Sequence, residues 1–355
     1  MLRESPTSLC PDFDPLDVVA LTTLEGFGPV TVRETLARIR YDGRSIDEAF
    51  PRGILVAARR LATAQLHAAA KAGARCVMDG DPEFPESFRD LDIVPTHFWV
   101  MGDVGLLAAE RRISIVGTRQ FTSYGERVTR SLGNAFARNG AVVVSGMARG
   151  IDSVAHLAAL EAGGKTVAVL GTGVDVAYPA SNRPLHRRIR EHGAVISEAP
   201  PGMHAIRGSF PRRNRLIAAL GQATIVVEAG IMSGALGTAD LADAINRPVG
   251  IIPGPIDSPL SLGTNQRMRD GGGQCITRIE DALLLIGISE SGKATVTFES
   301  AIERTIWNAL ERPAANFDVL TARTNLPARI CLETVTTLEL RGLVDCAITG
   351  EVRRR

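Results

Sequence analysis

The sequence predicts an α/β protein whose core is a parallel sheet covered by helices on both faces. Three observations carry that prediction. Short apolar, β-branched runs recur at 113–116, 141–145, 166–170, 194–197, 223–227 and 248–252. They lack the polar alternation of half-exposed strands, as expected of strands buried on both faces. Ala- and Leu-rich amphipathic stretches at 124–138, 151–162, 212–220 and 235–246 separate them, which is the pattern of strand–helix–strand units. In such sheets ligands bind beyond the carboxyl ends of the strands, so the loops after these strands are where a site is expected.

The flanks read differently. Residues 1–75 form a small all-helical domain, and LEGFGPVTVRETLARI places a Gly-x-Gly-Pro hairpin between two apolar stretches. That is a helix–hairpin–helix outline, a nucleic-acid backbone binder in some proteins and a spacer in others. The α/β core spans 76–287, and a polar Gly/Ser stretch, 288–297, reads as a linker. Residues 298–355 carry three short helical patterns and a hairpin, the outline of a winged helix; Arg353–Arg355 reads as a tail rather than a DNA contact.

The 355 residues are 45% hydrophobic and 22% charged, which excludes global disorder. No run approaches the ~20 apolar residues of a spanning helix, and MLRESPTSLCPDFDP lacks the apolar core of a signal peptide. A soluble, cytoplasmic protein is expected. Cys10, Cys76, Cys275, Cys331 and Cys346 are odd in number and form no CxxC pair, which argues against a zinc site and a disulfide framework. Neither metal nor cofactor is expected.

The net charge of +1 is unevenly distributed. Residues 1–110 hold 11 Lys/Arg against 17 Asp/Glu, residues 111–287 hold 20 against 13, and residues 288–355 hold 9 of each. The basic excess lies in the α/β core and is almost all arginine, the planar fork suited to phosphate. Two clusters stand out, Arg183/Arg187/Arg188/Arg190 and Arg207/Arg212/Arg213/Arg215. A polyanionic partner is the working idea.

The loops support it. In VGTRQFTSYG, Gly117 frees the backbone at a strand end while Thr118 and Arg119 offer a hydroxyl and a cation, an anion-cradle pattern. In VSGMARGIDSVAHLAAL, Ser145 and Gly146 follow the next strand, and Asp152 and His156 fall one helical turn apart. A Ser–His–Asp hydrolase is disfavoured because no GxSxG elbow is present; an acid at a helix start bonded to the histidine is the simpler reading. Gly171-Thr172-Gly173 begins like a dinucleotide fingerprint, but Val176 replaces the third glycine and Tyr178-Pro179 interrupts the helix, so NAD is disfavoured. Ser233 and Gly234, and Thr264 and Asn265 after Gly263, place small and amide residues at the same strand ends.

RGSFPRRNRLIAAL is the most telling stretch. If Pro211 opens the helix, then Arg212, Arg213 and Arg215 crowd a first turn that disfavours cations, and Asn214 sits among them. An anion would offset that cost, with Phe210 as a stacking platform beside the forks, the usual chemistry for single strands. The competing reading makes Phe210 a core plug and pairs the arginines with acids such as Glu198 or Glu228.

Taken in order over residues 113–285, VGTR…YG, VSGMARGID…AH, GTGVDVAYP, FPRRNR, SGALGTA and IPG…GTN resemble the DNA-processing protein A family (DprA, also called Smf). The resemblance implies an extended Rossmann-like core between a sterile-alpha-motif-like helical domain and a winged-helix-like domain. It implies a non-enzymatic protein that binds single-stranded DNA cooperatively and forms a homodimer through that core. It also implies loading of the RecA recombinase and protection of incoming DNA in natural transformation, the competence pathway. The positions that match the family's motif are Arg119, Arg207 with Phe210, and Arg213, Asn214 and Arg215. Some relatives carry a lysine directly after the Tyr-Pro dipeptide; here it is Ala180, so that contact is lost or falls to Arg183. A nucleotide-processing or nucleotide-sensing enzyme on a related Rossmann core is the alternative. Its usual PGGxGTxxE is replaced here by SGALGTADLAD, without the paired glycine or the glutamate.

Overall fold

Each of the six apolar runs forms a strand of one sheet, and three further strands extend it. The protein's structure is a computed structural model that describes residues 12–206, 208–289, 298–311, 313–347 and 350–354. The chain divides into two compact units between Ser289 and Glu290. The first begins with helices α1 (Pro15–Thr22), α2 (Pro29–Tyr41), α3 (Ile46–Ala49) and α4 (Arg52–Ala72), then strands β1 (Arg75–Met78) and β2 (His97–Gly102). The alternating part follows as β3 (Arg112–Val116), α5 (Ser123–Arg138), β4 (Val142–Ser145), α6 (Ile151–Glu161) and β5 (Thr166–Val169). It continues through α7 (Arg183–His192), β6 (Ala194–Ser197), α8 (Ser209–Leu220), β7 (Ala223–Val226) and α9 (Gly234–Ala244). The unit closes with β8 (Val249–Ile251), α10 (Leu262–Arg269), β9 (Gln274–Cys275) and α11 (Ile279–Leu284).

The strand order is β1-β2-β6-β5-β4-β3-β7-β8-β9. Pairing is parallel from β6 to β9. One edge departs from the all-parallel expectation, because β2 runs antiparallel to both β1 and β6. The pairing of Val100 with Ile196 joins segments far apart in sequence, so no local period announces it. The order reverses at β3, which has β4 on one side and β7 on the other. That reversal opens a crevice at the carboxyl ends of these strands.

Side chains alternate between the two faces. Ile113 and Ile115 of β3 join Leu132 and Phe136 of α5 and Ala155 of α6. Val116 and the buried Ser114 face α8, and the Ser114 hydroxyl donates to the Ile217 carbonyl at 2.7 Å. Each fully buried Val, Leu or Ile is worth about 1.5–3 kcal/mol. The N-terminal helices share a core with the sheet: Val18, Leu36 and Leu55 pack with Trp99, Ile189 and Val195. The Gly-x-Gly-Pro turn lies between α1 and α2, with Pro29 opening α2. The fully buried Asp79 binds Arg33 of α2 at 2.5 Å and Arg89 at 3.0 Å, tying the helices to the segment after β1.

The second unit contains α12 (Ala301–Ala309), α13 (Phe317–Thr324), α14 (Ala328–Leu340) and the hairpin β10 (Val344–Cys346)–β11 (Val352–Arg354). Ile306, Leu320, Val335 and Val352 are among its core residues. Two expectations about its borders change. Residues 290–297 of the predicted linker lie outside the described residues, while Ile288 packs into the core of the first unit. Arg353 and Arg354 belong to β11 rather than to a tail: Arg353 pairs with Asp345, and Arg354 donates to the Trp307 carbonyl and lies over its ring. Among the described residues, no helix is long and apolar enough to cross a membrane.

Candidate nucleic-acid interface

The switch point at β3 opens into a pocket of about 740 Å³. Gly117, Thr118, Arg119 and Gln120 after β3 line it, with Gly146, Ala148 and Arg149 after β4 and Tyr178 and Pro179 after β5. Phe210, Arg213 and Asn214 of α8 and Ser233 and Gly234 at the start of α9 complete the wall. Two glycines make this convergence possible. A Cβ at Gly150, whose φ is +98°, would stand 2.2 Å from the Thr118 carbonyl, so the two loops could not close together. A Cβ at Gly146 would lie 2.3 Å from the Arg213 guanidinium. The N-termini of α6 and α9 meet at the pocket, with Ser233 capping α9 through the Ala235 N–H, and their partial positive charge favours an anion there.

An aromatic pair with a cation stands in the wall. The Phe210 and Tyr178 ring centroids are 5.1 Å apart at 37°, and the Arg119 guanidinium lies 5.7 Å from the Phe210 centroid. Tyr178 is 43% exposed, and Arg119, Arg149 and Arg212 are all exposed. None of these three arginines has a described acid as an ion-pair partner. The site therefore presents cations and flat rings, the two components of single-strand binding.

Several predicted site residues have structural roles instead. The α8 helix opens at Ser209 after Gly208, two residues before Pro211, so Arg213 and Arg215 fall in its second turn and point inward. Arg213 is 6% exposed and donates to the carbonyls of Gly146 (2.6 Å) and Val169. Burial lowers its pKa to about 10, opposed by the negative charge of Asp152. Arg215 is buried against Glu198 at 2.6 Å, the competing reading, and lies outside the pocket lining. Arg212 is exposed but lines a second, smaller cavity of about 390 Å³ beside the N-terminal helices. Asn214 accepts from Arg213 Nε at 3.2 Å. Ser145 is fully buried, its hydroxyl donating to the Ile115 carbonyl at 2.6 Å, so it joins strands rather than facing a ligand.

Thr118 lines the pocket, yet its N–H is already committed to the Glu228 carbonyl at 2.7 Å. Thr264 is buried and donates to the Ser261 carbonyl, while Asn265 clamps Gly254 through both ends of its amide; neither reaches the pocket. Arg207 lies outside the described residues. Sequence reasoning misses two residues of the pocket lining, Arg149 and Tyr178. Their signals were an arginine in a Gly-rich βα loop and an aromatic before a loop proline.

The Asp152–His156 pairing expected at the start of α6 gives way to two separate contacts. Asp152 accepts the N–H groups of Gly146 and Ala148 at 3.2 and 3.4 Å, and burial raises its pKa. His156 instead turns to Thr166 at 2.6 Å. Burial, with Arg213 nearby, pushes the His156 pKa down to about 3, and burial alone takes His97 to about 4. Both imidazoles stay neutral when folded but bind protons below about pH 6.5 when unfolded. Their stabilisation is thus complete above that pH and is lost as the pH falls toward the folded values. From pH 7 to 5 this predicts a loss of about 2 kcal/mol per histidine. Urea unfolding midpoints at the two pH values check it, and unchanged midpoints would contradict it.

Residues 75–287 match the family model for DNA recombination-mediator protein A. The chain belongs to this family. Its C-terminal unit carries the DprA winged helix domain, matched over residues 294–347. A DprA relative from Mycobacterium tuberculosis (strain ATCC 25618 / H37Rv) is 40% identical over 262 residues, covering 71% of this chain and 67% of that one. Protein Smf of Escherichia coli (strain K12) is 33% identical over 292 residues, covering 79% and 77%. The X-ray structure of DNA processing protein A from Streptococcus pneumoniae aligns with a TM-score of 0.68 and 28% identity, covering 77% of this chain and 98% of that one. The Helicobacter pylori protein of the DprA family, whose structure concerns its single-stranded DNA binding mode, aligns with a TM-score of 0.55 and 31% identity, covering 59% and 94%.

Proposed function

We propose that this protein is a non-enzymatic recombination mediator that binds single-stranded DNA in the pocket at the β3 switch point. In this reading it protects incoming strands during natural transformation and loads RecA onto them, acting as a homodimer through the Rossmann-like core. The observation that carries the reading is the exposed Arg119 beside the Phe210–Tyr178 pair, in a pocket that Arg149 also lines. Forks can hold phosphates while bases stack on the rings. Membership of the recombination-mediator family supports the DNA partner. The pocket's acid, Asp152, is held by loop amides, and His156 is turned into the core. That arrangement favours binding over the nucleotide-enzyme alternative.

The test is binding of a labelled single strand of roughly 35 nucleotides and a matching duplex between about 50 and 200 mM salt. Tight, steeply salt-dependent binding of the single strand with much weaker duplex binding is expected. Failure to bind either form, together with turnover of nucleoside monophosphates, would establish the enzyme reading instead.

A further inference from the structure

The first arginine cluster plays no part in the pocket, yet its geometry is specific. Helix α7 buries Leu185, His186 and Ile189 and turns the other way with Arg183, Arg187 and Arg190, all exposed. These three are spaced i, i+4, i+7, so they form one stripe; at 1.5 Å per residue it is about 10 Å long. Elsewhere on the surface, arginines are commonly neutralised, as Arg59 is by Asp17 and Asp47, Arg130 by Glu126 and Glu161, and Arg267 by Asp240 and Asp243. Among the described residues, no acid lies within ion-pairing distance of Arg183, Arg187 or Arg190. Three cations without ion-pair partners on one short face repel one another, a cost that the exposed Glu191 offsets only in part and that a polyanion would remove.

The stripe also begins at the pocket. Tyr178 and Pro179 line the pocket, and residues 180–182 lead directly into α7. The Asn182 side chain donates to the Met147 carbonyl and to Ser153 Oγ, both at 2.9 Å. That pins the start of α7 to the loop that carries Arg149. Just past its far end, the Gly193 carbonyl accepts at 2.9 Å from the N–H of Asp103, the residue after β2. The cations thus run from Arg119 and Arg149 in the pocket to Arg183, Arg187 and Arg190 along the outside of the sheet.

We infer that the outer face of α7 is a phosphate track that holds the single strand as it leaves the pocket. The inference rests on the single-strand reading above and extends it by an exit surface. The track contributes charge and no base recognition, so it matters only for strands long enough to reach it.

The test compares labelled oligomers of about 6 and about 20 nucleotides. An Arg183→Ala/Arg187→Ala/Arg190→Ala variant should bind the short oligomer like the wild type. It should bind the long one roughly 10-fold or more weakly, with a salt slope smaller by about 2, the value for three lost phosphate contacts on a single strand. The corresponding triple Lys variant keeps the charge and should restore long-strand binding. An Arg119→Ala variant should weaken both lengths, which separates the pocket from the track. The track is overturned if the Ala variant binds the long strand as wild type does, or loses both lengths equally. Equal losses in the Lys and Ala variants, or a loss confined to duplex DNA, also overturn it. If the wild type binds no single strand, the functional reading fails and the track fails with it.

Discussion

Arg213→Ala is expected to cost about 3–5 kcal/mol of stability, because it leaves buried charge and buried carbonyls without their partner. The buried Arg213 guanidinium donates to the carbonyls of Gly146 and Val169, which follow or end adjacent strands. It is also the positive charge acting on the buried Asp152. Both carbonyl bonds come from Nη1 while Nε donates to Asn214 Oδ1 at 3.2 Å, so Arg213→Lys should rescue only part of the loss, because a point charge replaces one nitrogen of the fork and not the other. Adding Asp152→Ala to Arg213→Ala should recover part of the loss, with a coupling of about 0.5–3 kcal/mol. Urea unfolding of the four proteins measures this. A loss below about 1 kcal/mol for Arg213→Ala would show that the guanidinium is dispensable to the fold.

The second large effect is on binding. Phe210→Ala should weaken single-strand affinity by about 1–3 kcal/mol, or roughly 5- to 150-fold, through loss of the stacking face. Phe210→Trp should keep most of the affinity. Arg119→Ala should lower the salt slope by about 0.7, the value for one phosphate contact on a single strand. Fluorescence anisotropy of a labelled strand across a salt series reads both quantities. Arg215→Ala is the contrast: Arg215 is buried on Glu198 away from the pocket, so its replacement should lower stability and leave the salt slope unchanged. A changed slope in Arg215→Ala, or full affinity in Phe210→Ala, would refute the assignment of these side chains.

The difference between Phe210 and its arginine neighbours shows how far the sequence could be read. The stretch Phe210–Arg215 announced an unusual density of cations beside an aromatic, and the pocket does form there. Which cations face it turns on where α8 begins. A start at Pro211 puts Arg212 and Arg213 in the first turn with Arg215 just past it, whereas the start at Ser209 carries Arg213 and Arg215 into the second turn, where both are buried. The left-handed backbone at Gly208, with φ of 91°, allows the earlier start. Nothing local distinguishes the two phases. Their choice depends on carbonyls and a carboxylate supplied by the residue after β4, by β5 and by the segment after β6.

The sequence by itself determined strands β3 to β8 and the helices between most of them. Strands buried on both faces must be continuously apolar, and that requirement is written in runs such as AVVVS and ATIVV. It also determined where a site could lie, because loops rich in Gly, Ser, Thr and Arg followed those strands. Only the tertiary structure decided the antiparallel edge of β1 and β2, the burial of Ser145, Thr264, Arg213 and Arg215, and the exposure of Arg149 and Tyr178 in the pocket. The antiparallel edge and the burial of Ser145, Arg213 and Arg215 each rest on a partner distant in the chain: β6 for β2, Ile115 for Ser145, Gly146 for Arg213, Glu198 for Arg215. Local patterns encode which residues prefer burial, whereas the identity of the group that meets a buried cation or hydroxyl is settled only when strands and loops are brought together.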